Sequence, residues 1–296
     1  MTQIAQRLFA SNLIRIGSFR CPITYPHFEN TGPMNDYTIV FPRTSVIITH
    51  EGCQPVVADP NVVMLYNKGQ VYWRDKLSPR GDLCDWFNFN LNAILDTIRP
   101  FHPAVEENGE RPFTYTHVPS DPNAYLRQRL VIKHLLESNQ PDYLYVEETM
   151  LAVLHQVIKN IYNSRGAPTR KLGQNPAHAE LAYEVKRIVA CNYRAKLSLE
   201  TIASQVYSSP YHLCRIFQQQ TGLTIHKYLN QVRLRTSLEY LTDTGTDLTQ
   251  LGLRLGYSSH SHFSQAFKQT FKTTPSAVRD HITSRQLRQM SNFLIA

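Results

Sequence analysis

The spacing of hydrophobic positions changes along the chain. Up to about residue 117 the apolar residues come in short runs rich in Val, Ile and aromatics, at 44–49, 55–58, 62–66 and 71–73. Asp59-Pro60 and Asn67-Lys68-Gly69 separate some of them with turn chemistry, so the runs are predicted strands. Another strand is predicted at 85–89, with Trp86 and Asn88 on one face and Phe87 and Phe89 on the other. From about 120 to 162 the spacing turns helical. Asp121-Pro122 starts one predicted helix, running to about Glu137. Pro141-Asp142 introduces a second, in which Met150, Leu151, Leu154, Val157, Ile158 and Ile161 form one apolar stripe. The next stretch, NSRGAPTRKLGQNPA, has the Ser, Gly, Pro and charge of a linker. A helix beginning near His178 then buries Leu181, Val185, Ile188 and Val189.

An internal repeat follows. Segment 199–224 reads LETIASQVYSSPYHLCRIFQQQTGLT and segment 248–274 reads LTQLGLRLGYSSHSHFSQAFKQTFKTT. Leu199, Ile202, Ala203 and Val206 pair with Leu248, Leu251, Gly252 and Leu255 at an offset of 49. After one inserted residue, Leu213, Phe217 and Thr224 pair with Phe263, Phe267 and Thr274 at an offset of 50. Each copy has the parts of a helix-turn-helix. In the first, Leu199, Ile202, Ala203 and Val206 share one helical face and Tyr207-Ser208 breaks it. Ser209 caps the second helix, Pro210 takes its first position, and Thr221-Gly222 stops it. Small Ala203 and Gly252 allow close helix crossing. Thr224 caps a longer helix predicted over 225–241, about 25 Å long. A spacer of that size can hold two recognition helices about 34 Å apart, one turn of B-DNA. An ordinary helical hairpin with a solvated face is the bland alternative for one copy; two copies with matched breaks favour the helix-turn-helix.

The second copy ends in Gly256-Tyr257, Phe263-Ser264-Gln265-Ala266-Phe267-Lys268 and Thr274-Pro275-Ser276-Ala277-Val278-Arg279. With the repeat, these residues resemble the DNA-binding domain of AraC/XylS-type transcription regulators. Lys272 stands where that family usually has glycine after the last recognition helix, so a looser helix end is expected there. The resemblance implies an α+β chain of two domains. Residues 1–162 are expected to form a cupin-like β-barrel with a helical hairpin, serving as sensor and dimerisation domain. Residues 163–177 are expected to be a linker, 178–282 an all-α domain with two helix-turn-helix units, and 283–296 a tail.

By motif position and helical facing, Tyr211, His212, Cys214 and Arg215 are expected to face bases from the first unit. His260, Ser261, His262, Ser264 and Gln265 are expected to do so from the second. Arg215 can pair with guanine and Gln265 with adenine. Ser209, Gln218, Ser258, Lys268 and Gln269 are expected on phosphates. The partners expected are double-stranded DNA, a second copy of the chain in a homodimer, RNA polymerase and a small-molecule effector. Activator is the class the resemblance implies, and the residues themselves leave the sign of regulation open.

Charge supports the division. The 296 residues carry a formal +8; from residue 178 onward there are 14 Lys/Arg against 7 Asp/Glu, and before it 17 against 16. The excess therefore lies on the repeat-bearing segment, as phosphate binding requires. The five cysteines form no CxxC, and there is no signal-peptide pattern or bilayer-length apolar run. A reduced, cytoplasmic protein without membrane contact is expected. The missing Cys-rich zinc pattern argues against a fused DNA-repair methyltransferase. His50-Glu51-Gly52-Cys53 could offer two metal ligands, but the His pair, Glu and distant His of typical metal-binding cupins are not found, nor is a nucleophile constellation, so no metal, cofactor or enzymatic activity is predicted. Tyr37, Tyr66, Tyr72, Trp73, Trp86 and Phe87 are candidates to line a ligand cavity. The rival readings are a non-specific architectural DNA binder and a cupin-type enzyme tethered to DNA.

Overall fold

The computed structural model describes residues 4–108, 110–163, 175–241 and 246–280. Most of the expected linker and the whole expected tail lie outside these residues. The strands are β1 (Ala5–Ala10), β2 (Ile14–Cys21), β3 (Asn30–Thr31), β4 (Thr38–Pro42), β5 (Val46–His50), β6 (Val56–Ala58), β7 (Val62–Tyr66), β8 (Tyr72–Asp75), β9 (Asp82–Phe89) and β10 (His117–Pro119). They form a six-stranded sheet, β1-β2-β9-β4-β7-β10, and a four-stranded sheet, β3-β8-β5-β6.

The expected barrel is not closed. Among the described residues, no strand of one sheet pairs with a strand of the other. Closure needs edge strands long enough to continue the ladder with a fixed stagger. Here β3 has two residues and β6 and β10 three each, and β10 ends in Pro119. The sheets instead face each other across a cavity. The predicted alternation in β9 holds: Trp86 and Asn88 line the cavity, while Phe87 and Phe89 are buried on the opposite face. β1, β2, β3, β4 and β10 were not anticipated from the sequence, and β9 begins three residues earlier than predicted.

That opposite face packs against helices. After α1 (Leu91–Ile98) come α2 (Pro122–Glu137) and α3 (Tyr143–Asn163). Asp121 caps α2 as predicted, accepting from the backbone N–H groups of Asn123 and Ala124. Met150, Val153, Leu154, Val157, Ile158 and Ile161 of α3 are buried within the chain. Leu151 departs from the predicted stripe and is 36% exposed.

The remaining helices are α4 (Pro176–Asn192), α5 (Leu199–Gln205), α6 (Pro210–Thr221), α7 (Ile225–Ser237), α8 (Leu248–Arg254), α9 (His260–Phe271) and α10 (Pro275–Asp280). α7 stops four residues before its predicted end. The Ser237 hydroxyl bonds back to the Leu234 carbonyl, and Leu238, Glu239 and Tyr240 close tighter i→i+3 turns. Its 13 residues span about 20 Å rather than 25 Å. The α5–α6 pair shares a core with α4 and α7. Residues of the α8–α9 pair belong instead to the core that runs through α2, α3 and the six-stranded sheet.

Two polar clusters also join the sheets to the C-terminal helices. In one, Arg43 after β4 makes two bonds to Glu239, through Nε at 2.7 Å and through Nη2, and one through Nη1 to Asp85 at 3.2 Å. Arg129 of α2 donates to the other Asp85 oxygen at 2.5 Å. Burial pushes the Glu239 carboxyl up, but Arg129 and Arg43 outweigh it and hold the group at about 2. In the other, Tyr228 donates to Asp59, and Asn61 Nδ2 donates to the Tyr228 carbonyl at 3.1 Å. Arg235 donates to Asn61 Oδ1 and to the Ser120 carbonyl, both at 2.6 Å. Only 1% of Arg235 is exposed, and burial lowers its pKa to about 10. Buried Arg127, Arg129 and Lys133 on α2 reflect the position of that helix between the sheet and the C-terminal half.

Candidate nucleic-acid interface

The two helix pairs are built alike from their capping chemistry outward. Ser209 starts α6, its hydroxyl accepting from the His212 backbone N–H at 3.3 Å. In the second copy that role belongs to Ser259, which accepts from His262 N at 3.1 Å. Ser258, expected to match Ser209, therefore stands one residue earlier, where its hydroxyl meets His262 Nδ1 at 3.1 Å. The single inserted residue of the repeat lies within this turn. Leu213, Ile216 and Phe217 bury α6; Phe263, Ala266, Phe267 and Phe271 bury α9. On α5 only Ile202 and Ala203 of the predicted apolar face are fully buried, and Leu199 is exposed. A Cβ on Gly252 would lie 3.0 Å from Phe263 Cβ, so α8 and α9 cross as closely as the small residue suggested.

The residues left outside have one pattern in both copies. Tyr211, Arg215, Gln218 and Gln219 are exposed on α6. Ser261, Gln265, Lys268 and Gln269, each 50 positions later, are exposed on α9. Helical geometry gathers each set of four on one face. The other expected residues stand differently. Arg215 Nη2 lies 3.5 Å from His212 Nδ1, and the half-buried His212 ring sits 5.9 Å from that of His178. Cys214 is half-buried against the α4–α7 core. Ser264 is half-buried, with its hydroxyl 3.2 Å from His260 Nε2, while His260 and His262 are exposed.

Each turn needs one left-handed residue. Ser208 N bonds to Ala203 O at 3.0 Å and Tyr257 N to Gly252 O at 3.1 Å, the same helix-ending bond in both copies. The left-handed residue is Gly256 (φ 85°) in the second copy and Tyr207 (φ 51°) in the first. At the ends of α6 and α9 the assignment reverses, with Gly222 (φ 72°) after α6 and Lys272 (φ 59°) after α9. Left-handed backbone costs an L-residue about 1–2 kcal/mol. At Lys272 the charge of the side chain beside a helix C-terminus opposes that cost. Gly256 is also enforced by crowding: a Cβ there would lie 2.6 Å from Arg233 Nη2. Arg233 fastens this turn, donating to the Gly256 carbonyl at 3.1 Å and to the Tyr193 carbonyl at 2.6 Å. Tyr207 has no such surroundings and is 99% exposed.

The N-terminal cavity has a volume of about 270 Å³. Of the six candidate residues, Tyr66, Tyr72 and Trp86 line it. Tyr37 and Phe87 belong to the helix-side core instead, and Trp73 is 46% exposed. Arg74 enters the wall already paired with Asp82 at 2.9 Å. His50 is buried and stacked on Tyr66, and burial lowers its pKa to about 4. Among the described residues no group of three or more His, Cys, Asp or Glu could hold a metal. Neighbouring wall residues have divided duties. Pro42, Ala58 and Cys84 line the cavity, while the next residues, Arg43, Asp59 and Asp85, belong to the polar clusters beneath the C-terminal helices.

Comparison with known proteins adds to this geometry. A family profile described as helix-turn-helix domain matches residues 202–281. The regulatory protein PocR of Salmonella typhimurium is 29% identical over 127 residues, 43% of this chain and 41% of its own. The HTH-type transcriptional activator RhaS of Pectobacterium atrosepticum is 27% identical over 212 residues, 71% of this chain and 68% of its own. PqrA of Proteus vulgaris is 32% identical over 87 residues, 29% of this chain and 71% of its own. The chain spans about two fifths of the length of the first curated relatives it matches. No described helix is long and apolar enough to cross a membrane. The profile match across both helix pairs, with the match over most of PqrA, places the chain in the AraC/XylS-type family of transcription regulators.

Proposed function

We propose that this chain is a sequence-specific, effector-responsive DNA-binding regulator whose two helix-turn-helix units read successive major grooves with α6 and α9. The observation that carries this reading is the matched exposed face, Tyr211, Arg215, Gln218 and Gln219 against Ser261, Gln265, Lys268 and Gln269. Arg215 and Gln265 occupy equivalent positions and have the reach for bidentate base contacts. Tyr211, His212, His260, Ser261 and His262 flank them, while Ser209, Gln218, Ser258, Lys268 and Gln269 serve phosphates in this reading. Cys214 and Ser264 have the smallest roles because both are half-buried.

The same proposal divides the chain into a sensor at 1–162, a linker at 163–177 and a DNA-binding domain at 178–282. The N-terminal cavity supports a small-molecule effector. Exposed Leu136, Tyr143 and Leu144 around the α2–α3 connection support a homodimer. Activation is the sense that RhaS suggests, since that relative is an activator, and contact with RNA polymerase is part of the same proposal. The reading gives the chain no catalytic role.

The test is selection of duplexes from a random pool by the full chain, followed by footprinting. Two protected major grooves about 34 Å apart are expected. One protected groove would remove the second unit from the reading. Equal affinity for selected and random duplexes would favour an architectural binder.

A further inference from the structure

Tyr207 holds a backbone conformation that is uncommon for a bulky residue and returns no packing within the chain. Both turns have the same helix-ending bond, so both need a left-handed residue at this position. The second copy uses glycine. The first uses a tyrosine whose side chain is 99% exposed. A fully exposed side chain at a conformationally costly site points to a role outside the folded chain.

Its neighbours indicate which role. Tyr207 lies two residues before the cap Ser209 and four before Tyr211, which is 80% exposed and belongs to the outward face of α6. In helix-turn-helix docking the N-terminal residues of the recognition helix face the bases, and the groups just before it stand over the groove edge, where the phosphates run. A tyrosine there carries a phenolic hydroxyl donor at the tip of a long side chain. The equivalent turn of the second copy cannot offer this contact. Gly256 has no side chain, and Arg233 occupies the space beside it.

We propose that Tyr207 is a DNA-backbone contact of the first unit only, its phenolic O–H donating to a phosphate oxygen at the edge of the groove that α6 enters. This rests on the DNA-binding reading above. It also makes the two units unequal: the first is anchored by a neutral donor in its turn, while in the second Lys268 is the cation on the matching face, where the first has Gln218.

The experiment uses the full chain with two probes, a duplex selected by the unmodified chain and a random-sequence duplex. Failure of the unmodified chain to bind either probe overturns both this inference and the DNA-binding reading. If it binds, Tyr207→Phe should weaken binding to both probes by roughly tenfold, the size expected for a hydrogen bond to a charged acceptor. The salt slope should not change, because a neutral donor releases no counterion. Tyr207→Gly should weaken binding at least as much while leaving Tm unchanged or raised, since glycine relieves the left-handed strain. Undiminished binding by Tyr207→Gly would overturn the contact and leave the two-groove reading standing. Loss in Tyr207→Gly without loss in Tyr207→Phe would overturn the phosphate hydrogen bond. A fall in Tm for Tyr207→Gly that accounts for the lost binding would make the residue structural and overturn the inference.

Discussion

Tyr228 of α7 donates its phenolic hydrogen to Asp59 Oδ2 at 2.5 Å, tying the C-terminal half to the end of β6. Both groups are buried. Burial raises the Asp59 pKa against the pull of its hydrogen bonds from Tyr228 and from Asn61 N, and burial and Asp59 together raise that of Tyr228. Tyr228→Phe would leave a buried carboxylate oxygen without its donor. Urea unfolding should show a loss of about 1–3 kcal/mol. A change smaller than about 0.5 kcal/mol would mean that the two halves do not hold this bond in solution.

The Arg43–Glu239 contact predicts an acid dependence. Glu239 is held at about 2, below its ordinary 4.5, so its folded form favours the charged state. Its contribution is complete above about pH 4.5 and is lost as the pH falls towards 2. Thermal melts of the full chain and of Glu239→Gln should therefore differ most at pH 6, with the difference shrinking below about pH 4.5 as the pH falls towards 2. A constant difference across that range would remove the ion pair as the cause.

Gly256→Ala should destabilise more than Gly222→Ala. Both glycines have positive φ, but only at Gly256 does the new methyl meet a neighbour, Arg233 Nη2 at 2.6 Å and Arg194 O at 2.9 Å. Strain alone should cost Gly222→Ala about 1 kcal/mol. Denaturant midpoints compare the two, and equal losses would show that the second turn yields freely.

Arg215→Ala and Lys268→Ala each remove one positive charge from the proposed interface. For Arg215, a bidentate guanine contact predicts a loss of about 1–3 kcal/mol on a selected duplex and a smaller one on random DNA. For Lys268, affinity should fall on every duplex and the salt slope should drop by about one. Equal losses on both duplexes for Arg215→Ala would end its role as a base reader.

The helix ends, those of the repeat included, were legible because capping and turn residues act locally. Asp121, Ser209, Thr224 and Gly222 could be identified one by one, and each stands at the helix end expected of it. The N-terminal sheets were only partly legible. In β2 the charged Arg15 stands between buried Ile14 and Ile16, but β1 and β10 are short edges defined by their partners rather than by their own composition. Barrel closure depends on edge pairing across long sequence separations, which no local pattern reports. The polar clusters were missed for a similar reason. Arg43, Asp59, Glu239 and Arg235 are single charged residues whose burial arises only when the two halves meet. Tyr207 was seen as a break, but its backbone sign and exposure could be learned only from coordinates.

The divided strands of the cavity wall constrain how this protein can diverge. Near Pro42, Cys84 and Ala58, a substitution that reshapes the cavity also moves the backbone carrying Arg43, Asp85 or Asp59. New ligand preferences gained there would risk loosening the grip on the C-terminal helices. At the other end of β4 and β9, Thr38 and Asn88 bond to each other and Asn88 bonds to Asp36, about 13 Å along the strands from the clusters. If the cavity takes the proposed effector, changes in what it binds are better tolerated at this rim than near the C-terminal helices.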